Sequence, residues 1–386
     1  MKFKYIFCSF SILIMAYMGY NFNLYLQMFS KVSNQNISNK KCKTINHKYS
    51  FEDMFLLNDE YIILSKHLLD LYNYQYLEKP SINGGIYVYN IKQEKISYLP
   101  IKNYPKNRIF GPHGIDILNK EYLFIINHSS KFNNCQERIE IVKITYNSNN
   151  EIELSYIKSI ILPKEFFGTL NGIAGINLNT FYFTTSIPFS FPISNDEKNS
   201  IKEILLFKLK KFINTYSPVF NIKLTYVYMY HNGEIKKLEN SKSIANNGLS
   251  YDSNRKILYS VQTYEKKINV YQLNNDGTKA NFLRYINTIY SIDNIYYDEK
   301  YNKLYCGICG RMIDTANIAI ALDKGSNIDN IEHFSGFEEI NLNNDKVENV
   351  ILQNEFKAVS SAIKFKKKFY FFSSFFIPGI YICEEK

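Results

Sequence analysis

The chain has 386 residues, 46% of them hydrophobic, so it can bury a sizeable core and is not globally disordered. Its formal charge of +10 comes from lysines scattered along the chain rather than from long basic runs. Because no basic stripe or nucleic-acid-binding motif accompanies this charge, we expect no nucleic-acid partner. A single large β domain can use this length without a second core.

The N-terminus carries a long uncharged segment. Residues 5–30 contain no charged side chain, while Lys2 and Lys4 precede them and Lys31 follows. This stretch is long enough to cross a membrane and longer than the apolar region of an ordinary cleaved signal peptide. We therefore predict a retained signal-anchor over residues 1–31, with the globular part in the lumen or outside the cell. A cleaved signal peptide and a buried core helix are the alternatives.

A polar segment leads from this region into the body of the protein. Residues 32–46 are rich in Ser, Asn and Lys and are interpreted as a linker, so the predicted domain comprises residues 47–386. The linker contains Asn36-Ile-Ser38, a sequon for N-glycosylation. A glycoprotein is therefore expected.

Four of the six cysteines bear on the fold or on a possible site. Cys42 comes just before the body and Cys383 lies three residues from the end, so in an oxidising compartment a disulfide between them can join the ends of the domain. Cys306 and Cys309 have CxxC spacing, but they have no second pair and fall in a predicted strand. We therefore expect no zinc or redox site there.

One short pattern occurs twice between residues 245 and 298. Each copy begins with an oxygen-bearing side chain, Asn247 or Asp293, and continues as a short apolar run that ends at an aspartate. A polar turn and a second apolar run follow. Short apolar runs separated by turn residues are typical of antiparallel hairpins.

The same opening pattern occurs at four further places, which gives six units. Their first residues are 61, 58, 76, 46 and 68 residues apart. Units of this length, each with further strands such as Gly85-Ile-Tyr-Val-Tyr89, predict an all-β fold, a six-bladed β-propeller. The first strand of each blade lines the central tunnel of a propeller. The first residues should therefore form a ring at one mouth: Glu52, His113, Asn171, Asn247, Asp293 and Ser361.

This ring has the composition of a metal site. Two carboxylates and two Asn carbonyls that converge in a tunnel repel one another or stay unsatisfied unless a cation is bound. Ligands that are all oxygen suit Ca²⁺ and argue against zinc. Asn294, next to Asp293, adds a further candidate ligand. The alternative is that these residues are ordinary turn residues before strands, but six in one register favour the metal.

Two of the six histidines bracket a single predicted hairpin. His113 begins it and His128 follows its return strand, so both can lie at the same mouth of the tunnel. A histidine pair beside a cation can take a proton from water as a general base while the metal polarises a carbonyl oxygen. A purely structural role for each histidine is the alternative. Asn127-His-Ser129 is also a sequon, but its inner position argues against its use.

The longest departure from the strand pattern covers residues 194–216. Ser200-Ile-Lys-Glu203 matches a capping box and predicts a helix start. An apolar face then lies opposite three lysines (Leu205, Leu209, Phe212, Ile213 and Tyr216 against Lys208, Lys210 and Lys211). Such a short amphipathic helix can rest on a membrane or pack over the tunnel mouth.

Together these motifs resemble the paraoxonase/arylesterase family. They occur in the order of the family, and the resemblance covers roughly Cys42 to the end. The hydrophobic N-terminus also fits that family. The matching motifs are Ser50-Phe-Glu-Asp53, Phe110-Gly-Pro-His-Gly-Ile115 with Ile126-Asn-His128, Leu170-Asn-Gly-Ile173, Ala245-Asn-Asn-Gly248, Asp293-Asn294 and Tyr381-Ile-Cys383.

The resemblance implies a six-bladed propeller with two calcium ions in its tunnel. The residues that match the catalytic calcium ligands are Glu52, Asn171, Asn247, Asp293 and Asn294. Those that match the structural calcium ligands are Asp53 and the main-chain carbonyl of Ile115. Where the family has another aspartate ligand this chain has Gly172, so the structural site is expected to be weaker or absent.

The resemblance also implies roles for two residue pairs. His113 and His128 match the histidine dyad of the family, and Cys42 and Cys383 match its disulfide. The expected function is a calcium-dependent hydrolase of carboxylic esters or lactones in which the histidines assist attack by water. Its expected partners are a small ester or lactone and a membrane or lipid surface. The alternatives are a non-catalytic membrane propeller that acts as a chaperone or binding partner of membrane proteins, and a lactonase from the wider class of metal-binding propellers.

Overall fold

Six β-sheets make up most of the part of the chain that the computed structural model describes, namely Gly19 and residues 41–66, 84–129, 136–190, 201–218, 220–328 and 330–385. The innermost strand of each sheet contacts the innermost strands of the two neighbouring sheets, and these contacts form a closed circle. Six sheets arranged in this way around a central tunnel are the blades of a β-propeller. The predicted six-bladed all-β fold is therefore confirmed.

The first strand of the chain is β1 (Cys42–Ile45). The first blade comprises β2 (Asp53–Leu56), β3 (Tyr61–Lys66), β4 (Gly85–Asn90) and β5 (Lys95–Tyr98). The second comprises β6 (Ile101–Lys102), β7 (Pro112–Leu118), β8 (Tyr122–Asn127), β9 (Arg138–Tyr146) and β10 (Ile152–Ile161). The third comprises β11 (Leu170–Asn177), β12 (Thr180–Thr185), β13 (Val227–His231) and β14 (Glu234–Lys237).

The fourth blade comprises β15 (Asn246–Asp252), β16 (Ile257–Gln262), β17 (Lys267–Leu273) and β18 (Ala280–Asn287). The fifth comprises β19 (Ile292–Asp298), β20 (Lys303–Ile308), β21 (Ser335–Asn341) and β22 (Lys346–Gln353). The sixth comprises β23 (Val359–Phe365), β24 (Phe369–Ser374) and β25 (Ile380–Glu384), and β1 is its outermost strand.

Burial falls from the second strand of a blade to its outer edge. Strands β3, β8, β16, β20 and β24 are buried along almost their whole length. Both faces of these strands pack against neighbouring blades; Ile63 of the first blade, for example, shares a core cluster with Ile117 and Val142 of the second. Outer strands such as β18 alternate between exposed and covered side chains. This explains why the inner strands are continuous apolar runs.

The sixth blade is completed by the first strand of the chain. β1 pairs antiparallel with β25, and Cys42 lies opposite Cys383 in that register. A disulfide joins the two cysteines, as predicted. Because β1 lies inside the predicted linker of residues 32–46, the propeller begins earlier than the sequence indicates.

Two α-helices interrupt the strand pattern within the described residues: α1 (Ile201–Tyr216), between β12 and β13, and α2 (Met312–Asp323), between β20 and β21. The sequence predicts α1 but not α2. The amide of Asn214 anchors α1 by donating to the carbonyl of Phe189 at 2.8 Å and accepting from its N–H at 3.0 Å. Leu205 and Leu209 are nevertheless 62% and 54% exposed, so the described residues leave much of this apolar face uncovered.

Several sequence predictions fall on residues that the structure does not describe. Apart from Gly19, the predicted signal-anchor over residues 1–31 lies outside the described ranges, as do Asn36 and the predicted capping residue Ser200. Among the helices that are described, none is long and apolar enough to cross a membrane.

Candidate active site

A β-bulge marks the predicted ring residue in four of the six blades. The antiparallel register of the innermost hairpin skips two consecutive residues on the tunnel-lining strand. A bulge turns side chains out of the normal pleat and is common beside active sites. The skipped pairs are His113–Gly114, Asn171–Gly172, Asn247–Gly248 and Asp293–Asn294.

Glycine follows the ring residue where neighbouring blades approach most closely. A Cβ atom on Gly172 would lie 2.6 Å from the carbonyl oxygen of Asn247, and one on Gly248 would lie 2.7 Å from the Cα of Asn294. Such distances are too short for any side chain. The two glycines therefore let Asn171 and Asn247 lie close to the backbone of the next blade.

The sixth blade carries its ring position one residue earlier than predicted. Ala362 occupies in its hairpin the place that Ile115 occupies in the second blade, two residues after His113. The ring residue of the sixth blade is therefore Ser360, and the prediction of Ser361 is wrong. Its hydroxyl donates to the main-chain carbonyl of the first blade's ring residue. Two adjacent serines conceal this one-residue difference in the sequence.

The remaining ring residues line one cavity of about 250 Å³, called the upper cavity here: Glu52, His113, Asn171, Asn247 and Asp293. Within the described part of the chain, four buried oxygen atoms of this set have no hydrogen-bond partner: Glu52 Oε2, Asn171 Oδ1, Asn247 Oδ1 and Asp293 Oδ1. A buried polar atom without a partner is unfavourable. Four of them around one cavity indicate a site built for a cation.

The electrostatics of the upper cavity support the same conclusion. Burial raises the pKa of Glu52 well above its usual value, and the charges of Asp53 and Asp293 raise it further. Burial likewise raises the pKa of Asp293 to about 7, with a further increase from Asp53. Neighbouring buried carboxylates cannot all ionise easily, whereas a nearby positive charge favours their ionised forms.

The available donors suit calcium. Two carboxylates and two amide oxygens form an oxygen-only set of the kind that calcium takes. His113 and Cys309 also line the cavity, but none of the four unpartnered atoms is nitrogen or sulfur. No cluster of three or more His, Cys, Asp or Glu side chains suited to a metal occurs in the described ranges. Asn294 donates to Glu52 Oε1 at 2.8 Å and thereby orients that carboxylate.

A second, much smaller cavity of about 10 Å³, called the lower cavity here, is lined by Asp53, Ile115, Gly172 and Asn294 among others. The two carboxylate oxygens of Asp53 accept main-chain N–H groups, from Met54 at 2.8 Å and from Ile115 at 3.0 Å. Gly172 contributes no side chain, and its own N–H donates to the hydroxyl of Thr184. Each carboxylate oxygen of Asp53 already accepts one hydrogen bond and Gly172 adds no ligand, so the lower cavity offers fewer free oxygen donors to an ion than the upper cavity.

The two predicted catalytic histidines lie side by side. Their ring centroids are 4.8 Å apart. His113 lines the upper cavity, and its Nε2 lies 3.6 Å from Glu52 Oε1. His128 lies behind it, buried, with Nδ1 hydrogen-bonded to the carboxylate of Glu137. No motif in the sequence singles out Glu137, which immediately precedes β9.

The residue before His128 fixes the loop that leads to His113. The side chain of Asn127 accepts the N–H of Gly111 at 2.8 Å and donates to Glu140 Oε1 at 2.9 Å. Asn127 is fully buried, so its sequon is not accessible in the folded protein. Glu140 also accepts from the hydroxyl of Tyr104 at 3.0 Å. This network holds the two ends of the hairpin together.

Four further residues of the cavity wall follow the second strands of the blades: Ile187, Tyr264, Cys309 and Phe375. From the sequence, only His128 is predicted at this position, although the other residues also follow the second apolar run of their units. Thr315 of α2 completes the wall, and its hydroxyl contacts His333 Nε2 at 3.2 Å. The segment that forms α2 is rich in isoleucine and alanine and has no cap signature.

The fold and the site together define a six-bladed β-propeller with a cation-type site and a histidine pair at one mouth of its tunnel. The model of the arylesterase family matches residues 35–315, which is well over half of the chain. The chain belongs to the arylesterase family, and this membership places it among hydrolases. No curated protein sequence matches it.

Solved structures with the same fold are only distantly similar. A gluconolactonase from Xanthomonas campestris is 10% identical, with a TM-score of 0.47 and coverage of 90% of this chain and 91% of that one. A calcium-binding protein, regucalcin, from Agrobacterium tumefaciens is 7% identical, with a TM-score of 0.46 and coverage of 89% and 93%. At these values the likeness carries no argument about activity.

Proposed function

We propose that the protein is a calcium-dependent hydrolase of carboxylic esters or lactones. The observation that carries this proposal is the set of four unpartnered buried oxygens around the upper cavity, next to a pair of histidines. Membership of the arylesterase family supports the reaction class. Neither the family nor the cavity names the substrate.

The ligands in this proposal are the oxygen-bearing ring residues Glu52, Asn171, Asn247 and Asp293, with Asn294 orienting Glu52. When bound, calcium supplies a positive charge that polarises the substrate carbonyl and stabilises the negative oxygen formed on it. The two carboxylates account for most of the electrostatic attraction. The two amides add donor oxygens without further charge repulsion.

Side chains of the protein act on the attacking water and on the leaving group. His113 faces the cavity and takes a proton from the attacking water, with His128 in contact behind it. Ile187, Tyr264 and Phe375 supply an apolar wall for the organic part of the substrate. A cavity of about 250 Å³ suits a small ester or lactone rather than a polymer.

The test is hydrolysis of phenyl acetate and of a panel of lactones, with and without a calcium chelator. The purified protein should turn over at least one of these and lose the activity when calcium is removed. Asn247→Ala should lower the activity by more than the roughly 10- to 100-fold that loss of an outer-shell partner costs. Activity that survives the chelator contradicts calcium dependence.

The matched control is Asn349→Ala, which removes a comparably covered amide from β22, on the outside of the fifth blade. Asn349 donates to the hydroxyl of Tyr370 at 3.0 Å and does not line the cavity. This variant should keep its activity. Calcium binding without turnover of any ester or lactone contradicts the hydrolase and favours a non-catalytic propeller that binds other membrane proteins.

The proposal also places the propeller at a lipid surface in the lumen or outside the cell. The disulfide between Cys42 and Cys383 suits an oxidising compartment. Five large apolar side chains of α1 are exposed, next to basic residues of the same helix: Leu205, Leu206, Leu209, Phe212 and Tyr216. An exposed apolar face of this size on a basic helix is typical of helices that lie at a membrane interface.

Co-sedimentation of the full chain with anionic vesicles tests this contact. The double variant Leu205→Asp, Leu209→Asp should bind less than the parent. Leu283→Asp, which alters an exposed leucine in β18, is the control and should bind like the parent. Equal binding by all three proteins contradicts a role for α1.

A further inference from the structure

The strongest unassigned feature is the buried pair behind the cavity. His128 follows β8 and Glu137 precedes β9, and the imidazole Nδ1 is hydrogen-bonded to the carboxylate Oε1. Both residues are almost completely buried. Their backbones are also fixed, because His128 N–H donates to Gly111 at 2.8 Å and Glu137 C=O accepts from Leu162 at 3.0 Å.

Three side chains therefore run inward from the cavity. His113 lines the cavity wall, its ring contacts that of His128 at a centroid distance of 4.8 Å, and His128 in turn contacts Glu137. Solvent reaches the first of these side chains, His113, but does not reach the last, the carboxylate of Glu137. This arrangement suits a catalytic base whose orientation is fixed by buried residues behind it.

The chemistry of the two groups fixes which ring nitrogen carries the proton. An ionised carboxylate only accepts hydrogen bonds, whereas a neutral imidazole has one donor nitrogen and one acceptor nitrogen. With Glu137 bonded to Nδ1, the proton of His128 is held at Nδ1 and the lone pair at Nε2. The carboxylate also offsets the positive charge that His128 acquires when a proton enters the pair of histidines.

A neighbouring carboxylate shows what a structural role looks like. Glu140, three residues further along and equally buried, accepts from Asn127, Tyr104 and Ser159 and touches neither histidine through any of these bonds. Burying a charge is costly, and a neutral acceptor would satisfy an imidazole N–H at lower cost. A carboxylate at position 137 is therefore more favourable than a neutral acceptor when His128 is positively charged.

We infer that Glu137 is a positioning residue that, through its contact with His128, sets the tautomer of the histidine pair for hydrolysis. This inference rests on the proposed function. In the step concerned, an O–H bond of water breaks, an N–H bond forms on the histidine pair, and the oxygen lone pair forms the new C–O bond to the substrate carbonyl. Glu137 takes no part in this transfer, and the proton stays on the imidazoles until the leaving oxygen takes it.

The experiment is Glu137→Gln with Glu137→Asp as the conservative variant, studied as the full chain. The glutamine amide can donate to Nδ1, so kcat should fall roughly 100-fold or more while KM changes little. The nitrogen chemical shifts of ¹⁵N-histidine-labelled protein, with His128→Gln for assignment, should show loss of the Nδ1–H form. Glu137→Asp should retain that form and most of the activity.

Glu338→Gln is the control for removal of a buried carboxylate. Glu338 is fully buried in the fifth blade and accepts the N–H groups of Ile289 and Tyr290. This variant should keep both kcat and the His128 tautomer. An unchanged tautomer in Glu137→Gln overturns this inference alone. A parent protein that hydrolyses nothing overturns the proposed function instead, since the tautomer is measured without turnover.

Discussion

The upper and lower cavities of the tunnel contain similar side chains in different hydrogen-bonding states. In the upper cavity, Glu52 and Asp293 each keep one buried carboxylate oxygen without a partner. In the lower cavity, both oxygens of Asp53 accept main-chain N–H groups. A buried carboxylate oxygen that has no partner gains more from a bound cation than one that already accepts an N–H group. The type of residue therefore does not identify a ligand here, but the availability of its lone pairs does.

The largest effect should come from replacing one carboxylate in each cavity. Asp293→Asn should weaken calcium binding at least about 100-fold, since it removes a charged ligand. Asp53→Asn should change the calcium affinity less than about tenfold, because we expect the Asp53 carboxylate to bind main-chain N–H groups and not the ion. Calorimetric titration of both variants measures this, and the parent should bind one ion per chain. Similar losses in the two variants, or two ions in the parent, would contradict the comparison.

A smaller effect should come from the glycine between Asn247 and the fifth blade. Gly248→Ala should lower the free energy of unfolding by about 3 kcal/mol, because the new methyl group overlaps the backbone of the next blade. Its Cβ would lie 2.9 Å from the carbonyl oxygen of Asp293. Urea denaturation measures the loss.

The control for this prediction is Gly233→Ala, in a turn of the third blade. No heavy atom lies within 4 Å of a Cβ there, although φ is +94°. Only conformational strain remains, so the expected loss is about 1 kcal/mol. Equal losses at the two glycines would show that close contact between blades does not constrain the upper cavity.

The smallest effect concerns a carboxylate outside both cavities. Burial raises the pKa of Glu338 from its usual 4.5 to about 7, against the opposing effect of the Ile289 and Tyr290 N–H groups. A carboxyl whose folded pKa is raised stabilises the protein below its unfolded pKa and loses that contribution as pH rises through the folded pKa. Between pH 5 and 7 the loss is about 2 kcal/mol.

Glu338→Gln should remove this part of the pH dependence. Urea denaturation at pH 5 and pH 7, in the presence of a chelator, compares the parent with the variant. The parent should lose more stability than the variant as pH rises. Identical changes in the two proteins would show that the hydrogen-bonded carboxyl stays ionised throughout this range.

Much of the fold was predictable because each blade repeats one local pattern. An oxygen-bearing or imidazole side chain, a short apolar run and a polar turn gave the register of five ring residues. The predicted position of the sixth ring residue was wrong by one, because Ser360 and Ser361 are the same type of residue. The irregular register that selects Ser360 arises from the pairing between strands. The periodicity of the sequence shows how side chains alternate along one strand, but it does not show the register in which that strand pairs with its neighbour.

The site was only partly predictable for a similar reason. Gly172 indicated a weaker second calcium site, but the hydrogen bonds that Asp53 accepts come from main-chain donors that no side-chain motif reveals. Glu137 is one charged residue among many in the sequence, and its importance comes from a contact across the second blade. Contacts of this kind exist only in the folded chain.

The closure of the sixth blade has a consequence for biosynthesis. Among the described strands β1 is made first, and its partner β25 is made last. The circle of blades can therefore close only after β25 has emerged from the ribosome, while earlier blades begin to fold before it. Until then Glu52 and Asp293 belong to separate parts of an open arc. The calcium affinity that we propose for the upper cavity depends on this closure, and a chain truncated before β25 should lack it.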